Sequence, residues 1–155
     1  MVPRDGKRPV GLFSGYLNNE EQYRYVWRGG VLHTGDSARQ DAEGRFWFCG
    51  RFDDVIKTGG FRVGPDEVEH VVMEYPGVAE CSVVGIPDPF RGQSIKAFVA
   101  LAENYTPSAD LAVEIRNFCN GRLAEYKWVR MVEFVDQMPK TISGKIRRRA
   151  LAGGL

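Results

Sequence analysis

The chain has 155 residues, of which 21 are Lys or Arg and 20 are Asp or Glu, and its formal net charge is +1. This length suits one ordinary domain, or a small domain with a piece of another. The near-neutral charge excludes an overall field that would draw the protein onto nucleic acid or an anionic membrane. We therefore expect no nucleic-acid partner. No apolar run approaches the roughly 18 residues that cross a bilayer, so we also expect no membrane span. The first residues lack the apolar segment of a signal peptide, so we expect a soluble protein of the cytoplasm, or of an organelle matrix if a targeting segment lies upstream.

The cysteines and histidines do not form a recognisable site in the sequence. Cys49, Cys81 and Cys119 are far apart and lie in apolar surroundings, which favours reduced core thiols over a zinc site or a disulfide framework. His33 lies in a β-rich turn and His70 in a predicted helix, where both are expected to be surface or capping residues rather than catalytic bases. We therefore predict no metal site in this chain.

The first 50 residues are rich in glycine and aromatic residues. The runs GLFSGYL (11–17) and GRFWFCGR (44–51), with the turn-forming DAEG between them, indicate hairpin β-structure. No long amphipathic helix is predicted here for those strands to pack against. We interpret residues 1–50 as a β-rich remnant of a neighbouring domain, joined to the rest through the charged, turn-prone GRFDD at 50–54.

From residue 54 onward, strand and helix patterns alternate. VIK and FRV flank Gly59 and Gly60, which can supply the positive φ of a tight hairpin. Asp66 is then predicted to cap a helix, with Glu69 completing a capping box. An apolar stripe follows at helical spacing: Val68, Val71, Val72 and Tyr75.

The remaining pattern completes an α+β fold. VAECSVVGI (78–86), SIKAFVAL (94–101) and MVEFV (131–135) are of strand length. Ser108 can cap a second helix, which has four apolar residues on one face: Leu111, Ile115, Phe118 and Cys119. The order hairpin, helix, strand, strand, helix, strand predicts a small mixed sheet with helices packed on one face.

The loop PKTISGKIRRR (139–149) mixes turn-forming and basic residues. A Walker phosphate loop is excluded because Pro139 and Ile146 stand where it requires Gly and Ser or Thr. A nucleic-acid patch is disfavoured because stacking aromatic residues are missing nearby. We expect residues 147–149 to stay solvated while Ile146 and Leu151 pin a terminal helix. Lys145 follows a flexible Ser-Gly pair that can project its ammonium as a mobile point charge.

The triplet TGD, residues 34–36, allows two interpretations. It can be an ordinary turn, which is the usual reason for such residues. Asp36 held by that turn is also a suitable acceptor for the two hydroxyls of a ribose. The residue types alone leave both interpretations open.

Five segments resemble, in order and spacing, the C-terminal part of acyl-CoA synthetases, which are adenylate-forming (AMP-binding) ligases. The segments are GYL (15–17), HTGD (33–36), GRFDDVIKTGGFRVGPDEVE (50–69), PDPFRG (87–92) and PKTISGKIRRR (139–149). The resemblance runs from about Gly11 to Arg149, and the sequences of the motifs are most similar to those of the acetyl- and medium-chain branch. It implies that residues 51–53 are a hinge and residues 54–155 a C-terminal lid domain.

The resemblance implies roles for individual residues. Asp36 would hold the ribose hydroxyls of ATP or acyl-AMP, Arg51 would reach the same nucleotide, and Asp53 would be the hinge residue. Lys145 would be the adenylation lysine, touching a carboxylate oxygen and the α-phosphate. The implied CoA-binding residues are Gly59, Gly60, Phe61, Arg62, Arg91, Trp128 and Arg130.

The same resemblance implies the reaction and the partners. The complete enzyme would convert a carboxylic acid, ATP and CoA into acyl-CoA, AMP and pyrophosphate, with Mg²⁺ carried by the phosphates. The N-terminal adenylation domain would be the partner that supplies the phosphate loop and acyl pocket, which this chain lacks, so the isolated chain is expected to be inactive. A lysine acetyltransferase acting on Lys145 is a further implied partner.

The chain departs from the family pattern at a few positions, and two other functions stay open. The family often carries Tyr at the position of Phe61, and proline at those of Glu125 and Val129. One alternative is a catalytically silent module that binds CoA or a nucleotide on its own. The other is a protein-interaction module that docks onto a partner enzyme.

Overall fold

The computed structural model describes residues 10–153. Its α-helices are α1 Glu20–Val26, α2 Pro65–Met73, α3 Ala109–Asn120 and α4 Arg148–Ala152. Its strands are β1 Asp36–Gln40, β2 Phe46–Arg51, β3 Ile56–Thr58, β4 Phe61–Val63, β5 Val78–Asp88, β6 Gly92–Leu101 and β7 Met131–Phe134. The ends of the predicted ranges, residues 1–9 and 154–155, lie outside the described part of the chain.

The main sheet of the described residues has five strands around β6. β5 and β6 form a long antiparallel pair that runs from Val78 opposite Leu101 to Asp88 opposite Gly92. On the other side of β6, β7 pairs in parallel and β3 pairs antiparallel, with β4 continuing the sheet beyond β3. The predicted α+β class with a small mixed sheet is confirmed.

The two faces of this sheet are covered differently. On one face, fully buried Val83 and Val99 pack against α2 and α3, in a cluster that includes Val72 and Ile115. The two longer helices therefore share one face, as the apolar stripes predict. On the other face, Val84, Phe98 and Ala100 pack with Met138 and with Leu151 of α4. The terminal segment thus lies across the side of the sheet opposite to α2 and α3, because neighbouring strand residues alternate between faces.

The N-terminal part contains one hairpin and one short helix. β1 and β2 pair antiparallel as a separate two-stranded sheet, which includes most of the predicted run GRFWFCGR. The predicted strand at GLFSGYL is wrong: residues 12–16 have no regular secondary structure, and α1 follows shortly after. The glycines and aromatic residues of that run suit a loop as well as an edge strand, since periodicity over so few residues discriminates poorly.

The predicted caps have opposite outcomes. Ser108 caps α3 as expected, since its hydroxyl accepts a hydrogen bond from the Leu111 amide at 3.1 Å. The predicted cap at Asp66 is wrong, because α2 begins one residue earlier, at Pro65, and Gly64 is its N-cap residue without a side-chain cap bond. Proline is favoured in the first turn of a helix because its missing N–H has no partner there anyway. In the described part of the chain, no helix is long and apolar enough to cross a membrane.

Candidate functional site

Lys145 lies in a tight turn that closes a short hairpin. Lys140 and Ile146 form an antiparallel bridge, and the Thr141 amide donates to the Lys145 carbonyl at 2.8 Å. The Lys145 amide in turn donates to the Thr141 hydroxyl at 3.1 Å. Gly144 has a φ of +82°, which favours glycine at this turn position. Both the amide and the carbonyl of Lys145 are therefore hydrogen-bonded to Thr141.

The side chain of Lys145 is exposed, and among residues 10–153 no carboxylate lies within ion-pair distance of its ammonium. The hairpin itself is anchored to the sheet. Lys140 forms an ion pair with Glu80 of β5 at 2.5 Å, and the Arg147 amide donates to the Pro139 carbonyl at 2.7 Å. A cation on an anchored turn, without a partner of its own, is available to an anion from outside this part of the chain.

The basic run after Lys145 is not uniformly solvated. Arg147 is exposed, as expected, and Ile146 and Leu151 pack into the core as predicted. For Arg148 the predicted solvated face is wrong: its side chain is only 24% exposed and contacts three carboxylates. These carboxylates belong to residues distant in sequence, so helical spacing at the terminus carries no sign of them.

Asp36, Arg51 and Asp53 lie together in the structure. Asp36 and Arg51 are opposite each other in the β1–β2 pair, with 3.3 Å between Arg51 Nη1 and Asp36 Oδ1. Arg51 Nε donates to Asp53 Oδ1 at 2.9 Å, and this bond lowers the pKa of the Asp53 carboxyl. From α4, Arg149 reaches the other oxygen of Asp53 at 3.3 Å. Asp53 is thus held by two arginines, one within the predicted hinge and one from α4.

The TGD segment has the geometry of a turn. The Asp36 amide donates to the Thr34 hydroxyl at 3.2 Å, and Gly35 has a φ of +82°. A Cβ at Gly35 would lie 2.8 Å from the Arg51 guanidinium, so glycine leaves the space that this arginine occupies. The turn interpretation is therefore confirmed, and ribose binding by Asp36 stays a prediction.

The Gly59–Gly60 hairpin lies beside the loop that carries Arg91. Gly59 and Gly60 have φ values of +55° and +86°, as a two-residue hairpin turn of this kind requires. The Gly59 amide donates to the Arg91 carbonyl at 2.9 Å, and Phe61 stacks on Tyr126 with 4.4 Å between ring centroids. An open groove of about 330 Å³ results, lined by Thr58, Gly59, Phe61, Arg91, Glu125 and Tyr126.

Asp88 organises the loop that presents Arg91. Its carboxylate accepts hydrogen bonds from the Phe90 and Arg91 amides, each at 2.9 Å, and from the Ser94 hydroxyl. The bond from Ser94, followed by those from the two amides, lowers the pKa of Asp88 below its ordinary value of 3.8. Because these donors favour the ionised carboxylate, the loop is most stable when Asp88 is charged.

We expect the Asp88→Asn variant to be less stable than the unsubstituted chain at pH 7. The ionised form contributes stability above the ordinary pKa of 3.8, and that contribution is lost as pH falls through the lowered folded-state value. The difference between the two urea-unfolding midpoints should therefore shrink below about pH 4. Asp136→Asn is the control, since that exposed carboxylate makes no hydrogen bond or ion pair among the described residues. A stability difference for Asp88→Asn that stays constant down to pH 2.5 would contradict this account.

Trp128, Arg130 and Arg62 do not line the groove at Gly59. Trp128 donates its indole N–H to the Leu123 carbonyl at 3.1 Å, and the Arg130 guanidinium lies 5.4 Å from the Trp128 ring centroid. Arg130 lines a separate groove of about 290 Å³ between α3 and β7. Arg62 is opposite Lys57 in the hairpin, and the alternation along β4 places it on the face opposite to Phe61.

Sequence reasoning missed two residues of this region. Tyr126 stacks on Phe61 and completes the groove. Asn120 accepts from the Val129 amide at 2.9 Å and donates to the Val129 carbonyl at 3.1 Å, which holds the segment before β7 against the end of α3. The run of polar and aromatic residues at 125–128 was the only available signal for Tyr126.

Comparison with known proteins identifies the domain that carries these features. Residues 67–145, which end at the exposed lysine, match the AMP-binding enzyme C-terminal domain. The chain belongs to this family. Its resemblance to acyl-CoA synthetases, including the acetyl- and medium-chain branch, is confirmed, since its relatives include an acetyl-coenzyme A synthetase and the acyl-coenzyme A synthetase ACSM3.

This member of the AMP-binding C-terminal domain family is similar to several CoA ligases. It is 53% identical over 141 residues to 4-hydroxybutyrate–CoA ligase 1 of Metallosphaera sedula, a match that covers 91% of this chain and 25% of that protein. It is 54% identical over 135 residues to acetyl-coenzyme A synthetase of Bacillus subtilis, covering 86% of this chain and 24% of the relative. The chain thus spans about a quarter of the length of the relatives it matches.

Solved structures show the same fold. The anthranilate CoA ligase AuaEII in complex with anthranoyl-AMP is similar with a TM-score of 0.77 and 42% identity, over 87% of this chain and 26% of that one. ATP-bound MatB from Rhodopseudomonas palustris is similar with a TM-score of 0.79 and 30% identity, over 92% of this chain and 28% of that one.

Proposed function

We propose that this chain is the C-terminal portion of an ATP-dependent acyl-CoA synthetase, which converts a carboxylic acid, ATP and CoA into acyl-CoA, AMP and pyrophosphate. One observation carries this proposal: in a chain of the AMP-binding C-terminal domain family, Lys145 presents its ammonium on an anchored turn, with no carboxylate partner among residues 10–153. The names of the relatives, which are CoA ligases and CoA synthetases, supply the reaction class.

In the proposed adenylation step, Lys145 acts on charge that develops at the α-phosphate. A carboxylate oxygen attacks this phosphorus while pyrophosphate leaves, so two anions approach and charge builds on the phosphoryl oxygens. A fixed cation stabilises that charge more in the transition state than in the ground state. The hydrogen bonds that hold the Lys145 backbone support this role, because they fix the point from which the lysine side chain extends and so limit the region its ammonium can reach.

In the proposed thioester step, the groove at Gly59 accepts CoA. Gly59 and Gly60 place backbone without side chains at its edge, so a thin pantetheine chain can approach closely. Arg91 supplies a cation that can bind a CoA phosphate by charge-assisted hydrogen bonds. Arg62, Trp128 and Arg130 lie outside this groove, so we propose that they contact CoA only where it extends beyond the groove.

The partner of this chain in the proposed reaction is an N-terminal adenylation domain. We propose that residues 1–50 pack with that domain, that residues 51–53 are the hinge, and that residues 54–155 swing as a lid between the two steps. Asp36 and Arg51 would meet the nucleotide from the N-terminal side. Magnesium would arrive with the ATP phosphates, and among residues 10–153 no three His, Cys, Asp or Glu side chains are grouped to hold a metal ion.

Two further proposals concern the cellular location of the protein and the modification of Lys145. We propose a location in the cytoplasm or in an organelle matrix, and one relative, acyl-coenzyme A synthetase ACSM3 of Mus musculus, is described as mitochondrial. We also propose that a lysine acetyltransferase can modify Lys145, since its side chain is exposed. Acetylation would remove the charge on which the adenylation step depends.

A chimera tests the proposed function. In it, this chain replaces the C-terminal quarter of the Bacillus subtilis acetyl-coenzyme A synthetase that it matches, and acetyl-CoA formation is measured with acetate, ATP and CoA. We expect turnover by the chimera and none by the isolated chain or by the truncated synthetase. A chimera that folds but forms neither acetyl-adenylate nor acetyl-CoA would refute the proposal. Full turnover by the isolated chain would refute the division of labour between the two domains.

A further inference from the structure

Arg148 has a set of contacts that the proposed reaction does not by itself explain. Its guanidinium donates from Nη1 to Asp54 at 3.0 Å, from Nη2 to Asp66 at 2.7 Å and from Nη2 to Glu69 at 2.6 Å. A further bond runs from Nε to Glu69 at 3.1 Å, so the contact with Glu69 is bidentate. One arginine therefore connects the start of α4 with α2 and with the residue that follows the proposed hinge. We name Arg148 and these three carboxylates the arginine cluster.

The arginine cluster is partly buried and its charges are not balanced. Asp54 and Glu69 are 16% and 17% exposed, Arg148 is 24% exposed, and Asp66 is 41% exposed. Burial lowers the pKa of Arg148, but the carboxylates around it, Glu69 above all, more than reverse this effect and raise it above the ordinary value. Three carboxylates meet one guanidinium, so without Arg148 they would repel one another, and Asp54 and Glu69 would do so in a poorly solvated place.

Arg148 lies close enough to Lys145 in the chain for the arginine cluster to hold the turn that carries the lysine. Arg148 is the first residue of α4, three residues after Lys145, and between them the Arg147 amide is bound to the Pro139 carbonyl. At the other end of the hairpin, only the exposed pair of Lys140 and Glu80 is recorded as an ion pair among the described residues, with both side chains 41% exposed. An exposed pair of this kind holds weakly. Apolar packing of Met138 and Ile146 against the sheet also holds the hairpin. The strong charged attachment of the lysine turn is therefore on the Arg148 side.

We propose that Arg148 is a positioning residue for adenylation: through its three carboxylates it fixes the turn that presents Lys145, without touching the substrates itself. This inference depends on the proposed function for its effect on rate. The Gly59–Gly60 hairpin, by contrast, is held by the Arg91 carbonyl and by the β3–β6 pair. Loss of Arg148 should therefore affect the adenylation step and spare the thioester step.

The first test measures the two steps separately in the chimera. We expect Arg148→Gln to lower acetyl-adenylate formation by roughly 10- to 100-fold, since a displacement of about 1 Å in a reacting group can cost that much. The loss should appear in kcat, with little change in the KM for ATP. Thioester formation from supplied acetyl-adenylate and CoA should stay within about threefold of the unsubstituted rate, a margin that is small beside the catalytic loss. Arg147→Gln is the matched control, an adjacent and exposed arginine that should change neither step.

The second test uses the chain alone and does not depend on ligase activity. Amide hydrogen exchange is followed at Thr141, Gly144 and Lys145, whose N–H groups are bonded within the turn. We expect Arg148→Gln to accelerate exchange at these amides by roughly tenfold or more, because local opening becomes easier. Amides of α3 should keep their protection, as should all of these amides in Arg147→Gln.

Arg148→Lys covers the case in which Arg148→Gln does not fold. Lysine keeps the positive charge, but its single ammonium cannot reproduce the fork that reaches three carboxylates. We expect a folded protein with a smaller loss, again confined to adenylation, and with faster exchange in the turn. The inference is overturned if Arg148→Lys or Arg148→Gln slows both steps equally, or if the turn amides keep full protection and adenylation is unchanged. If the unsubstituted chimera is inactive while the exchange result holds, the proposed function fails and the anchoring stands.

Discussion

Replacing Lys145 with methionine in the chimera should slow acetyl-adenylate formation by roughly 10²- to 10³-fold, the loss expected when one pre-positioned charge donor is removed from a reaction centre. Methionine has a similar length and no charge, so the turn should persist. The hydrogen bonds of the turn involve the Lys145 backbone and not the ammonium. The measurement is single-turnover formation of acetyl-adenylate from acetate and ATP.

The same Lys145→Met variant should form acetyl-CoA from supplied acetyl-adenylate at close to the unsubstituted rate, because the lysine is proposed to act in the first step only. Arg147→Met is the control for removal of a basic side chain from this segment, and we expect it to change neither rate. If adenylation in Lys145→Met proceeds as fast as in the unsubstituted chimera, Lys145 is not the adenylation lysine and the proposed mechanism fails.

Replacing Gly60 with leucine should produce the converse pattern, a loss of roughly 10²-fold in thioester formation with adenylation retained. A Cβ at Gly60 would meet no atom within 4 Å, so the added side chain can be accommodated without a clash in this domain. It would instead stand beside the groove at Gly59 and hinder the approach of CoA. The measurement is the rate of acetyl-CoA formation from supplied acetyl-adenylate at several CoA concentrations.

A second glycine separates this effect from backbone strain. Gly60 has a φ of +86° and Gly30 a φ of +74°, and a Cβ at either position meets no atom within 4 Å. Leucine should therefore cost about 1–2 kcal/mol of stability at each position, the usual cost of a left-handed conformation for an L-residue. Only Gly60→Leu should slow thioester formation. Equal losses of thioester formation in Gly60→Leu and Gly30→Leu would remove the case for a CoA groove at the hairpin.

The correct and incorrect cap predictions show which contacts can be recognised in a sequence. The Ser108 cap joins residues three positions apart, so its chemistry is visible in one short segment. The Asp66 cap was wrong because Asp66 lies inside α2, and its carboxylate is bound by Arg148, which is 82 positions away in the chain. Arg148 was placed in solvent for the same reason. Nothing in the run of three arginines indicates which one meets buried carboxylates.

The candidate site divides in the same way. The positive φ values at Gly59 and Gly60 and the turn at Lys145 follow from glycines in local patterns, and sequence reasoning anticipated both. The stacking of Phe61 on Tyr126 depends on how the hairpin packs against the segment before β7. Arg130 was implied as a CoA-binding residue by the resemblance, and the fold places it beside a different groove from that of the hairpin.

The sequence by itself determined the α+β class, most of the strands and helices, the family resemblance and the lysine on its glycine turn. These features depend on periodicity, turn chemistry and short motifs, which are properties of neighbouring residues. The tertiary structure alone decided that α4 covers the second face of the sheet, that Arg148 joins three distant carboxylates, and that Arg130 lies beside a different groove from Gly59, Phe61 and Arg91. Such contacts arise only when the chain folds, because side-chain burial and charge pairing depend on distances in space rather than along the sequence.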